Sequence, residues 1–159
     1  MARNARRKDL KIVLGTVLAI PVTEETWALG QVLFPGTTFY LSVTAEQHRD
    51  PLQATDIGFH GVKLFSWTND AEVYRGRWKN LGLAGLPTVM PIFPEYKLES
   101  AGDMHVSSFD GKKSRAFVHG HDDQLNYKTS RSPLLVEDAV KAACGVAEWR
   151  SHFDKLLSP

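Results

Sequence analysis

The chain has 159 residues, 43% hydrophobic and 23% charged. That length supports one domain with a real core, and the composition excludes general disorder. Lys and Arg total 19 against 18 Asp and Glu, a net charge of +1, which argues against a dedicated nucleic-acid binder.

Arg3, Arg6, Arg7 and Lys8 make residues 1–10 a basic, flexible tail. Residues 11–22, KIVLGTVLAIPV, read as a strand. Lys11, Gly15 and Thr16 interrupt the apolar run, and no small-residue cleavage site follows, so a secretory signal is not expected. Pro21 marks the strand's end. The polar TEET turns the chain into a second strand, WALGQVLF at 27–34. Pro35 and Gly36 turn it again into TTFYLSVT at 37–44. Residues 45–57 are polar and read as a loop, and 58–68 return to strand composition.

Asn69 and Asp70 suit a turn or a helix cap. Tyr74 to Lys79 reads as a strand. Pro87, Pro91 and Pro94 exclude a regular helix from the next stretch and predict an extended segment over the core. Met104–Phe109 and Arg115–His119 predict a hairpin about Asp110-Gly111. Ser132 is an N-cap and Pro133 a first helical residue. Leu135, Ala139, Ala142, Val146, Trp149, Phe153 and Leu156 line one helical face to Leu157, with a bend or break at Gly145.

These elements predict an α+β, mostly β fold. An N-terminal antiparallel meander forms a curled sheet or small half-barrel, and a C-terminal helix packs on it. Residues 11–159 are read as a single domain. No stretch approaches the roughly 20 apolar residues of a membrane span. Cys144 is the one cysteine, which excludes an intrachain disulfide and points to a reducing, cytoplasmic compartment.

Motifs for chemistry are weak. His119, His121, Asp122 and Asp123 are metal-ligand types, and a strand would put both histidines on one face. His48, His60, His105 and His152 lack ligand spacing, so the cluster reads as a polar surface turn and no metal is expected. Cys144, between Ala143 and Gly145, reads as a packed thiol. Ser107 and Ser108 lack a nucleophile elbow. No phosphate-binding glycine motif is present, and Gly82 to Gly85 lacks a lysine partner. Adjacent acids at Glu24-Glu25 and Asp122-Asp123 read as solvated. Neither catalysis nor a cofactor is expected. The aromatics Trp27, Phe34, Phe39, Tyr40, Phe59, Phe65, Trp67, Tyr74 and Trp78 predict a filled core with one or two exposed anchors.

The runs holding Gly15, Thr16, Ala19, Ile20 and Pro21, then Trp27, Ala28, Gly30, Gln31 and Val32, resemble the opening of the bacterial immunity protein 26 family. The stretch RWKNLGLAGLP, with Trp78, Gly82 and Pro87, is similar to a later segment of that family, and Pro91, Phe93 and Pro94 follow it. The resemblance covers roughly residues 11–110. It implies a mostly β protein that binds and neutralises a cognate secreted toxin by blocking its active site. It carries no catalytic motif, and the matched residues receive structural roles.

If that toxin is a nuclease with a basic cleft, Glu24, Glu25, Asp70, Glu72, Asp122 and Asp123 are the expected contacts. Two other readings stand beside this one. A small β-barrel could bind nucleic acid through the basic tail and aromatic strands. A metal-dependent hydrolase could use His119, His121 and Asp122 or Asp123.

Overall fold

Leu18 and Ile20 point to one side of the first strand, β1 (Thr16–Pro21), and Val17 and Ala19 to the other. All four are fully buried, so the centre of this sheet is covered on both faces. The computed structural model describes residues 11–50 and 61–157. The basic tail 1–10, Phe59, His60 and much of the predicted 45–57 loop lie outside the described residues. Among the described residues the chain forms two compact units. The first draws on residues up to Thr88 and from Ser130 onward, and the second is Val89–Thr129.

The predicted meander is present in the first unit. β1 pairs antiparallel with β2 (Trp27–Phe34), β2 with β3 (Thr38–His48), and β3 with β4 (Lys63–Asn69). β1 starts later than the apolar run because Val13 and Thr16 close a turn. The Thr16 N–H donates to the Val13 carbonyl at 3.0 Å, and its Oγ1 accepts from the Val13 N–H at 2.9 Å. β3 runs four residues past the predicted Thr44. Its polar end is held to β2 across an irregular register, with Leu29 opposite Thr44 and Trp27 opposite His48.

Tyr74 to Lys79 is not a strand. Ala71–Tyr74 forms a short helix, α1, and the Glu72 carbonyl then accepts the N–H groups of Arg77 and Trp78 at 2.9 and 3.0 Å. Only from Lys79 does the chain extend, as β5 (Lys79–Leu83), which pairs with the free side of β1. The order is β4-β3-β2-β1-β5, an open sheet that does not close into a barrel.

One face of this sheet carries Leu18, Ile20, Ala28, Val32, Leu41, Val43 and Leu64 against α2 (Pro133–Ala143) and a 3-10 helix (Ser151–Leu156). Gly30 lies where β2 meets β3. A Cβ there would come within 3.1 Å of the Leu41 side chain and 3.3 Å of Val43, so a larger residue displaces the core. On the opposite face Val17, Ala19 and Leu29 cluster with Trp27, Leu81 and Ala84. There Trp67 contacts Tyr40 and Phe34, with ring centroids 5.3 and 5.8 Å apart.

The helix starts as predicted. Ser132 Oγ accepts the Leu135 N–H at 3.2 Å, and Pro133 opens the first turn. It ends sooner, at Ala143. Gly145 takes φ +76°, its N–H donates to the Ala142 carbonyl, and the Val146 N–H donates to that of Lys141. These paired bonds close the helix end in a left-handed cap. The buried stripe runs through Val136, Ala139, Val140 and Ala142. Val146, predicted on that face, is exposed beyond the cap. Phe153 and Leu156 do reach the core, but from the separate 3-10 helix.

The second unit is a three-stranded antiparallel sheet in the order β6-β7-β8. Its strands are β6 (Tyr96–Ser100), β7 (Asp103–Ser107) and β8 (Ser114–Ala116). The predicted hairpin corresponds to β7 and β8. Its turn is tied by Asp110 Oδ1, which accepts from the Ser108 hydroxyl at 2.7 Å and the Lys112 N–H at 3.0 Å. β8 stops at Ala116, so His119 and His121 lie on a turn rather than a strand. Phe109 stacks on Phe93 and Tyr96, with centroids 4.3 and 6.3 Å away. The proline-bearing stretch 84–95 has neither helix nor strand, as expected. It does not lie wholly over a core, because Val89 and Ile92 are 84% and 90% exposed.

Candidate functional site

The β1–β2 turn presents Glu24 and Glu25 on a frame held by hydroxyls. Thr23 Oγ1 accepts the N–H groups of Glu25 and Thr26 at 3.2 and 3.0 Å. The Thr26 hydroxyl donates its one proton to Gln47 Oε1 at 2.9 Å, so in the 2.7 Å contact between the two threonines Thr23 is the donor. Gln47 Nε2 then donates to the Cys144 carbonyl at 3.3 Å. One chain of hydrogen bonds thus runs from the turn through β3 to the C-terminal end of α2. That helix end carries partial negative charge. Glu24 and Glu25 are both exposed, and Glu46 of β3 is half-buried beside Gln47. The turn's backbone is well fixed and presents two exposed carboxylates, with Lys79 Nζ 4.3 Å over the neighbouring Trp27 ring.

Asp70 and Glu72 lie at the other end. Asn69 pairs with Thr38 at the start of β3, whereas the Glu24–Glu25 turn joins β1 to the start of β2. At about 3.3 Å per residue, the length of β2 separates the two ends by roughly 23 Å. Asp70 is exposed but does not cap α1, since Asn69 Oδ1 accepts the Ala71 N–H at 3.0 Å instead. Tyr74, at the end of α1, is 65% exposed, more than any other aromatic of the first unit among the described residues. Glu72 is buried and paired with the guanidinium of Arg75 at 2.5 Å. It therefore offers no free carboxylate to a partner.

Behind Glu72 is a charged cluster that the sequence reading did not single out. Glu137, buried on α2, accepts from Arg77 Nε at 2.9 Å and Nη2 at 2.5 Å. It also accepts from Lys141 Nζ at 2.7 Å and Trp78 Nε1 at 3.3 Å. Burial pushes its pKa up, but the hydrogen bonds from Arg77, Lys141 and Trp78 outweigh that, so its carboxyl sits below its ordinary value. The signal was present in the sequence. Glu137 falls between Val136 and Val140, on the buried side of the helix, where an unpaired charge is not tolerated.

The second unit holds the histidine and aspartate cluster. Asp122 is buried, and its carboxylate takes Arg115 Nη1 and Nη2 at 2.7 and 2.8 Å and the Val118 N–H at 2.8 Å. His121 Nδ1 lies 2.8 Å from its Oδ1. The Arg115 hydrogen bonds foremost hold Asp122 well below the usual carboxylate range, with the Val118 and His121 bonds assisting against burial. With four partners Asp122 has no lone pair left for a metal or a protein partner. Glu95 joins Arg115 at 3.0 Å. Asp123 is exposed, accepts the Gly120 N–H at 2.9 Å, and lies 3.6 Å from His119 Nδ1.

Among the described residues no group of three or more His, Cys, Asp or Glu side chains is arranged to hold a metal ion. Cys144 is half-buried, and burial pushes its thiol up, away from the nucleophilic thiolate. No helix among the described residues is long and apolar enough to cross a membrane. The open sheet does not provide the closed barrel of the nucleic-acid reading.

Of the six acids read as contacts, Glu24, Glu25, Asp70 and Asp123 are exposed and Glu72 and Asp122 are committed inside. The four exposed acids fall in three separate places of the chain. Glu24 with Glu25 and Asp70 occupy opposite ends of one sheet, and Asp123 belongs to the second unit. Neither protein-family models, curated proteins nor solved structures match the chain.

Proposed function

We propose that the chain is an immunity protein. It binds a cognate secreted toxin and blocks that toxin's active site in the cytoplasm, without catalysis or a cofactor. The observation that carries this reading is the pair of runs GTVLAIP and WALGQV, which resemble the opening of the immunity protein 26 family. β1 and β2 hold these runs as neighbours, with Leu18 opposite Gly30 and Ala19 opposite Leu29. The close approach at Gly30 gives one shared position a physical reason.

The favoured contact is the β1–β2 turn, which carries the exposed carboxylates of Glu24 and Glu25. Its backbone is held by the Thr23, Thr26 and Gln47 bonds, so little ordering entropy is lost on binding. A basic cleft is steered toward such carboxylates, and the gain appears first in the association rate. Asp70 and the exposed Tyr74, at the opposite end of the sheet, are the competing contact.

The test is co-expression with the toxin domain encoded beside this gene. Protection of the cells and a complex that co-purifies are the expected results. A neighbouring toxin domain that stays lethal and forms no complex overturns the reading.

A further inference from the structure

We draw no further inference here: the strongest candidate, the exposed aliphatic run of Leu83, Leu86, Val89 and Ile92 on and after β5, carries nothing because nothing in the structure shows what covers it.

Discussion

Arg77 and Glu137 stand 60 positions apart in the chain and meet in a two-pronged ion pair, Nε to Oε2 at 2.9 Å and Nη2 to Oε1 at 2.5 Å. The pair ties the α1–β5 connection to α2, so it joins the sheet's last strand to the helix that covers its core. Arg77→Met leaves a buried carboxylate with fewer donors. It is expected to cost about 2 kcal/mol, the range for a hydrogen bond to a charged group. Urea unfolding of the variant and the parent chain reads this directly, and an unchanged midpoint contradicts the assigned role.

Acid acts on the same pair. The folded pKa of Glu137 lies below its ordinary value. Its stabilising contribution is therefore present above the unfolded carboxylate pKa, about 4.3, and lost as pH falls through the folded value. Asp122 has the same sign in the second unit. Stability is expected to decline steadily below that range. Glu137→Gln should lower stability at neutral pH and make the decline on acidification shallower. Urea midpoints measured across the acid range check both, and parallel curves for variant and parent sink the assignment.

Asp122→Ala is expected to loosen the second unit locally. It removes the two-pronged acceptor of the Arg115 guanidinium, which keeps Glu95, and the acceptor of the Val118 N–H. Hydrogen exchange followed residue by residue should show Val118 losing protection while the amides of β1 and β2 keep theirs. Retained protection at Val118 would mean that the carboxylate does not hold the turn.

Helix α2 offers two stability tests at its ends. Ser132→Ala removes the cap on the Leu135 N–H and should cost about 1 kcal/mol. Gly145→Ala puts a side chain at φ +76° and should cost roughly 1–2 kcal/mol. Nothing crowds a Cβ at Gly145 within 4 Å, so the effect isolates backbone conformation. Denaturant melts of the two variants supply the comparison.

For toxin binding, paired reversal of Glu24 and Glu25 to Lys should weaken the complex about tenfold or more, mainly by slowing association. Reversal of Asp70 lies at the far end and should leave affinity nearly unchanged. Surface plasmon resonance at low and high salt separates the two. Equal losses at both ends would move the contact away from the β1–β2 turn.

How far the sequence was legible depended on whether the decisive partner was near. β2 runs from Trp27 to Phe34 as read, because its boundaries are the local signals TEET and Pro35-Gly36. Ser132 and Pro133 mark a helix start for the same reason. The end of β3 was missed because Ala45, Glu46, Gln47 and His48 look like loop, and only distant partners extend them, Trp27 of β2 opposite His48 and the Val62 carbonyl at the Ala45 N–H. The helix was overrun because Phe153 and Leu156 keep an apolar spacing that a separate 3-10 turn also satisfies. β6 was hidden behind three prolines, and its pairing with β7 defines it. Among the acids, exposure could not be read at all. Glu72 and Asp122 look like their solvated neighbours, and only Arg75 and Arg115 reveal them as interior charges.

The second unit interrupts the first, leaving it after Thr88 and rejoining it at Ser130. On a ribosome, all five strands of the larger sheet have therefore been made before the helix that covers them. Ile20, Leu41, Val43 and Leu64 must wait, through synthesis of the whole inserted sheet, for Val136, Val140 and Phe153. The strand pairing of the inserted sheet is local, all of it between Tyr96 and Ala116, so only short loops need to close for it. The larger unit's sheet is thus the vulnerable nascent surface, and chains that stop before α2 are the species that chaperones and proteases should recognise first.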